Sequence, residues 1–247
     1  MTESRFLPGV PAKRVLAALA AAGGKEIESG KFDNPESSAA LACNAFGWFI
    51  ERPSHLPPLP GLDDLDWPAT DVAVERCLRF PWSGGRHPWL DAVVETNTHL
   101  IGVESKRFET FRDTKTVALS KAYDRPVWGD AMGPFEQMRD DLRSGACRYH
   151  HLDAAQLVKH GFGLVTQGRK LAKIPVLFYI FAEPTALAGR PIPAEATALH
   201  RAEVIDFADH IAGAAVRFAS ASYREWLAGF VGLTRDHADA LTASFAP

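Results

Sequence analysis

The chain has 247 residues, of which 47% are hydrophobic and 23% charged, and its formal net charge is -3. This composition is typical of a globular domain and excludes collagen-like, coiled-coil and disordered chains. Because the chain is slightly acidic, contact with nucleic acid would require a local basic surface. The three cysteines show no CxxC pairing, which favours a reducing, cytoplasmic location. The longest apolar run, residues 174–182, is much shorter than the roughly 20 residues of a spanning helix, so no membrane partner is expected.

Two helices are predicted at the start of the chain. Pro11 suits the first position of a helix and Gly23 the position after its end, so the first helix lies between them. The second helix is predicted to begin at Asn34 as N-cap, with Pro35 in the first turn and apolar residues at helical spacing as far as Ile50.

Three β-strands are predicted next, over residues 72–80, 88–95 and 100–108. Each segment is short, rich in β-branched or aromatic residues and bounded by turn residues. Residues 83–85 supply a turn between the first two strands, and residues 97–98 supply a tight link between the second and third. The three strands are therefore expected to form an antiparallel meander.

The rest of the chain alternates between the two kinds of element. The predicted elements are helices over 133–145, 153–170, 196–211 and 234–243 and strands over 174–181 and 215–219. The apolar strand at 174–181 is expected to join the meander at a position buried on both faces. The predicted fold class is therefore mixed α/β (α+β), with a central mixed sheet flanked by helices. We interpret residues 1–247 as a single domain, with a core at about 25–185 and a helical C-terminal part at about 186–247.

Charged residues in an apolar context mark two adjacent strands of the meander. Asp91 lies on the second strand, and Glu104 and Lys106 share one face of the third. Two carboxylates that converge from adjacent strands form a hard oxygen site suited to Mg²⁺. Lys106 would add a positive charge for phosphate, or would orient or deprotonate a water if burial lowered its pKa.

The alternative is that these charged residues face solvent and pair across the strands, which contributes only about a few tenths of a kcal/mol. The apolar flanks oppose this alternative, because an isolated buried carboxylate costs several kcal/mol without a compensating cation. The strand context therefore favours a metal site.

The pattern Asp91…Glu104-Ser105-Lys106, after a helix and before a helix and strand, resembles the PD-(D/E)XK nuclease superfamily. A longer match resembles a bacterial family of restriction-endonuclease-like proteins within that superfamily and spans roughly residues 25–185. It comprises KFDNPESS at 31–38, NAFG at 44–47, WLDA at 89–92 and GVESKRFE at 102–109. Leu90 stands where the proline of the superfamily's name would precede the aspartate.

The resemblance implies a restriction-endonuclease-like core and a Mg²⁺-dependent endonuclease, with Mn²⁺ as an alternative metal, that hydrolyses DNA in restriction or another defence. It implies that Asp91, Glu104 and Ser105 belong to the metal site and that Lys106 positions the water. Glu36, on the predicted second helix, would be a further metal ligand, or else a charge that stabilises the helix N-terminus. DNA is the expected partner, and a homodimer would allow both strands to be cut.

The predicted helix at 153–170 carries polar residues along one face: Gln156, Lys159, His160, Gly163, Gln167 and Lys170. Residues 154–182 contain no acid, so this face is a candidate for binding phosphates. Gln156 resembles the glutamine on the corresponding helix of related nucleases and is assigned to the catalytic group, whereas Lys159, His160 and Lys170 are assigned to DNA binding. Alternatively, Asp153 and Gln156 form a capping box that uses the glutamine for the backbone.

Other polar residues allow further interpretations. Glu95 is either an acid that supports the site or an ordinary end-of-strand residue. Cys147, His150 and His151 lack the second ligand pair of a zinc finger, and no P-loop, GxSxG or GxGxxG motif occurs. Two other functions stay open: a non-catalytic nucleic-acid-binding module on the same fold, and a metal-dependent phosphoesterase acting on a small substrate.

Overall fold

The computed structural model describes residues 5–23, 27–84 and 87–247. Within these ranges the helices are α1 (Ala12–Ala21), α2 (Ser38–Gly47), α3 (Glu109–Arg112), α4 (Gly133–Ser144), α5 (Ala154–Leu171), α6 (Ala194–His210), α7 (Tyr223–Ala228) and α8 (Leu233–Phe245). The strands are β1 (Asp71–Cys77), β2 (Trp89–Glu95), β3 (His99–Lys106), β4 (Ile174–Phe181), β5 (Ala186–Leu187), β6 (Arg190–Pro191) and β7 (Arg217–Ser222).

A five-stranded mixed sheet forms the centre of the fold, in the order β1-β2-β3-β4-β7. β1, β2 and β3 form the predicted antiparallel meander, whereas β4 pairs in parallel with both β3 and β7. The mixed α/β class and the buried position of β4 are therefore confirmed. Because β3, β4 and β7 run in the same direction, their last residues, Lys106, Phe181 and Ser222, lie side by side at one edge of the sheet.

Helices cover both faces of the sheet, and the sheet separates the core into two layers. The layer that we call the α2 layer contains α1, α2, α7 and α8, and its core includes Phe46, Trp226 and Val103 of β3. The α5 layer contains α4, α5 and α6 and includes Phe162 and Tyr179. No helix within the described residues has both the length and the apolar character needed to cross a bilayer.

Gly102 allows α5 to approach β3 closely. A Cβ atom at this position would lie 2.4 Å from Leu90 Cδ1 and 2.7 Å from Leu164 Cδ2. Since no such contact is tolerated in a packed core, the glycine is needed where the helix crosses the strand. The close approach brings the first half of α5 against the end of β3.

The other predicted helices and strands are present, although β1 and β3 end earlier than predicted and α3, β5, β6 and α7 were not predicted. Asp153 caps α5 through a bond from Gln156 N–H to Asp153 Oδ1 of 2.9 Å, as predicted. The C-terminal part is not only helical, because it also supplies β7 to the main sheet. Part of the predicted turn at 83–85 lies outside the described residues, since Gly85 is not among them.

The predicted start of α2 is wrong. Ser37 is the N-cap, with its side chain accepting a hydrogen bond from Ala40 N at 3.1 Å. Asn34 instead accepts a bond from Glu36 N at 2.9 Å, which forms a local turn before the helix. Both residues have capping chemistry, but a turn over Pro35 and Glu36 separates them, so Glu36 precedes the helix rather than lying on it.

Candidate active site

The candidate site lies where β2 separates from β3. The paired residues of these strands end at Ala92 and Val103, whereas β3 stays paired with β4 as far as Lys106. The backbone N–H of Ser105 donates to Asp91 Oδ2 at 2.7 Å. The carboxylate of Asp91 therefore satisfies a backbone donor of β3 beyond the last paired residues of β2.

Asp91 also marks a change of side-chain direction along β2. Ala92 and Val94 belong to the α2 layer, but Leu90 packs with Val93 in the α5 layer. In a regular strand, Leu90 would share the face of Ala92, two residues away. The alternation is therefore interrupted at Asp91.

Glu75 of β1 lies opposite this interruption. The pairs Val74–Ala92 and Arg76–Leu90 on either side place it level with Asp91. Its φ of 53° is uncommon for a residue other than glycine. Both strands are thus irregular at the same level, and Glu75 and Asp91 line the same cavity.

Glu104 and Lys106 lie together on one side of β3, as predicted. Lys106 Nζ donates to Glu104 Oε1 at 2.5 Å. His160 of α5 approaches the other carboxylate oxygen, with 2.8 Å between Nε2 and Oε2. The imidazole is not oriented for a well-formed hydrogen bond, so both ring nitrogens are buried without a hydrogen-bond partner among the described residues. Glu104 is only 2% exposed and His160 only 1%, so their contact is shielded from water.

The two carboxyl groups differ in their electrostatic surroundings. Burial raises the pKa of Asp91 well above its usual value, and the neighbouring charge of Glu104 raises it further. Asp91 nevertheless keeps some solvent access on the cavity side. Burial also opposes ionisation of Glu104, but Lys106 and His160 outweigh this effect and lower the pKa of Glu104 to about 2. Glu104 is therefore the firmly ionised member of the pair.

Lys106 is not a candidate base. Burial alone would lower its pKa, as the sequence analysis considered, but Glu104 and Asp91 outweigh burial and raise the pKa above its ordinary value. The side chain therefore stays an ammonium at neutral pH. It can hold a phosphate oxygen or orient water, but it cannot remove a proton.

A further acidic residue, Glu109, joins the end of β3 to the segment around the start of α2. It accepts hydrogen bonds from Ser38 Oγ and from Arg107 N, the latter at 3.0 Å. The guanidinium of Arg107 donates to the carbonyl oxygens of Pro35 and Phe245. These contacts fix one wall of the cavity. Glu109 was not predicted to belong to the site, although its place at the end of the GVESKRFE match was a signal for it.

A cavity of about 660 Å³ opens beside Asp91. Among the described residues, its charged lining consists of four acids and two bases: Glu36, Glu75, Asp91, Glu109, Lys31 and Arg112. Acidic side chains therefore outnumber basic ones. A phosphodiester would enter this cavity readily only if part of the negative charge were neutralised.

Two residues assigned to the metal site occupy unexpected positions. Glu36 lines the cavity from the loop before α2, and its Oε2 lies 3.8 Å from Arg112 Nη1. The hydroxyl of Ser105 lies 2.7 Å from Tyr223 OH in the α2 layer, away from Glu104. Glu95 lies at the far end of β2, where its Oε2 is 2.7 Å from Lys173 Nζ. The end-of-strand interpretation of Glu95 is therefore confirmed.

The predicted polar face of α5 is not a continuous exposed surface. His160 is buried against Glu104, so its assignment to a DNA-binding surface is wrong in geometry. Gln156 and Lys159 are half-buried, and burial lowers the pKa of Lys159. Lys170 is exposed but lies ten residues beyond His160, about 15 Å along the helix axis. Asp153 accepts from Gln156 N, but the described contacts do not include the return bond of a capping box.

The donor set has the chemistry that Mg²⁺ requires. Within the described ranges, no three His, Cys, Asp or Glu side chains form a ready cage for a metal ion. Mg²⁺ does not need such a cage, because it keeps several waters and uses one or two carboxylates together with substrate phosphates. Asp91 and Glu104 meet that requirement; burial and then the charge of Glu104 raise the pKa of Asp91, and a bound cation would favour its ionised form. In the present arrangement, a cation would compete with Lys106 for Glu104 Oε1.

Comparison of the chain with protein-family models, with curated proteins and with solved structures finds no match. The functional interpretation therefore depends on the site and on the sequence resemblance.

Proposed function

We propose that this protein is a Mg²⁺-dependent endonuclease of the PD-(D/E)XK superfamily that hydrolyses phosphodiester bonds of DNA. The observation that carries the proposal is the cluster of Asp91, Glu104 and Lys106 where β2 and β3 separate. Asp91 of this cluster lines a cavity whose volume of about 660 Å³ is typical of substrate sites. The meander followed by a parallel strand supports a restriction-endonuclease-like core.

Each member of the cluster has a distinct role in this proposal. Asp91 and Glu104 hold the metal ion, which when bound stabilises negative charge on the phosphate. Lys106, charged at neutral pH, holds a phosphate oxygen and orients the attacking water. Ser105 N–H fixes the Asp91 carboxylate, and His160 supports Glu104 from the α5 layer.

Cleavage of supercoiled plasmid, with and without Mg²⁺ or Mn²⁺, tests the proposal. The wild-type protein is expected to nick or linearise the plasmid only with metal. Asp91→Asn, Glu104→Gln and Lys106→Met are each expected to lose cleavage, since removing one electrostatic group from a catalytic site costs on the order of 10²-fold or more.

The sheet itself supplies a matched control at its other end. Lys173 Nζ lies 2.7 Å from Glu95 Oε2, and the Lys173 side chain is 16% exposed, as is that of Lys106. Lys173→Met and Glu95→Gln therefore remove a similar ion pair away from the cavity and are expected to keep cleavage. Absence of metal-dependent cleavage in the wild type, or full activity of Lys106→Met, would contradict the proposal.

A further inference from the structure

Trp89 differs from the other tryptophans because its side chain has no aromatic or hydrogen-bonding partner among the described residues. It lies on β2, two residues before Asp91, and lines the same cavity. Its side chain is partly exposed, and no described residue supplies a ring contact or a partner for its indole N–H. The other five tryptophans each have such a contact: Trp48, Trp67, Trp82, Trp128 and Trp226.

An unpartnered indole in a substrate cavity is suited to a flat ligand. Tryptophan supplies a large apolar face, and nucleobases stack on such faces with little regard to sequence. Trp89 and Asp91 are two residues apart on a strand, which separates their Cα atoms by about 7 Å. This spacing resembles that between the phosphate of a nucleotide and its own base.

The cavity also has a basic group suited to a neighbouring phosphate. Lys31 is exposed on its rim and forms no ion pair within the described residues. Arg112, the other basic residue of the described lining, already contacts Asp113 and Glu36. Lys31 is therefore the freer cation for a strand that enters the cavity.

We propose that Trp89 stacks on an unpaired nucleobase next to the phosphate at Asp91, so that the preferred substrate is single-stranded DNA or an unpaired segment of a duplex. This inference rests on the proposed nuclease function. A base within an intact duplex is already stacked on both sides and must leave the stack before its face can reach Trp89. The protein therefore discriminates between paired and unpaired DNA at this residue.

Binding measured in Ca²⁺, which occupies hard oxygen sites, separates this role from cleavage. Trp89→Ala is expected to weaken binding of a short labelled single strand by about 5- to 150-fold, the range found when one stacking side chain is removed. Trp89→Phe keeps an aromatic face and should retain most of the affinity. Trp82→Phe is the matched control, because Trp82 stacks on Phe80 in the α5 layer.

Intrinsic fluorescence gives a second readout that does not depend on a truncated side chain. Adding the single strand should quench emission of the wild type and of Trp82→Phe, but much less that of Trp89→Phe. A blunt duplex of the same sequence should bind more weakly than the single strand. A strand with abasic sites should bind the wild type more weakly than the intact strand.

Equal affinity of the wild type and Trp89→Ala for the single strand would overturn the inference. Equal quenching in Trp89→Phe, or preference for the blunt duplex, would also overturn it. If plasmid cleavage is nevertheless metal-dependent and lost in Lys106→Met, the nuclease function stands and only the role of Trp89 falls. A wild-type protein that binds no DNA and cleaves none would overturn both.

Discussion

The buried imidazole of His200 is expected to make folding stability depend on pH between neutrality and pH 5. His200 is fully buried on α6, with its Nε2 3.0 Å from Tyr179 OH and the ring of Phe181 beside it. Its Nδ1 has no hydrogen-bond partner in the described part of the chain. Burial lowers the pKa of His200 to about 3, and the positive charges of His151, Lys115 and Arg201 act in the same direction.

The sign of the effect follows from which state binds the proton. In the unfolded chain the pKa of a histidine is about 6.5, so below that pH His200 binds a proton in the unfolded chain but not in the folded protein. The contribution of the neutral His200 to the free energy of unfolding is fully present above pH 6.5 and is lost as the pH falls towards 3. For a change from pH 7.5 to pH 5, the expected loss due to His200 is about 2 kcal/mol.

Denaturant unfolding at pH 7.5 and pH 5 measures this loss. His200→Gln can still form a hydrogen bond with Tyr179 but does not titrate. Its free energy of unfolding should therefore fall less between pH 7.5 and pH 5 than that of the wild type, by about 2 kcal/mol. His55→Gln is the control, because His55 is exposed. The same pH dependence in the wild type and His200→Gln would refute the reasoning.

Two further substitutions test the packing and the charge of the site. Gly102→Ala places a methyl group against Leu90 and Leu164 and should lower the free energy of unfolding by about 1–3 kcal/mol, measured by denaturant titration. An unchanged midpoint would show that α5 can move away from β3. Lys106→Arg keeps the positive charge but replaces a compact ammonium with a planar guanidinium, so plasmid cleavage should fall by at least about 10²-fold. Lys106→Arg should still show an increase in melting temperature when Mg²⁺ is added. Cleavage by this variant at the wild-type rate would contradict the proposed role of Lys106 in orienting the water.

The regular elements of the fold could be predicted because local chemistry specifies them. The meander has short β-rich segments between turn residues, and Asp153 caps α5 with no competing residue nearby. The start of α2 could not be predicted, since Asn34 and Ser37 both have capping side chains. Tertiary contacts, such as the bond from Arg107 to the Pro35 carbonyl, hold the segment before Ser37 outside the helix.

The candidate site was only partly predictable, because tertiary contacts and irregular strands place some of its residues. Glu104 and Lys106 are two apart on a regular strand, so their contact follows from the period of the strand. Glu75 reaches the cavity where β1 departs from the two-residue period of a strand, and no sequence pattern predicts this departure. His160 has the spacing of an exposed polar face, yet it is buried because β3 presents the charged Glu104 beneath α5.

The last prediction concerns Asp91, whose bond to the backbone and whose charge act in opposite directions on stability. Because burial and Glu104 raise its pKa above that of the unfolded chain, the ionised form costs stability at neutral pH. Asp91→Asn removes the charge and keeps an oxygen for Ser105 N–H, so its melting temperature should exceed that of the wild type. Asp91→Ala leaves the Ser105 N–H without a partner, which costs about 1–3 kcal/mol if the group stays dry. Both variants should lose cleavage and the stabilisation by Mg²⁺, and a melting temperature of Asp91→Asn below that of the wild type would show that the carboxylate stabilises the site without a cation.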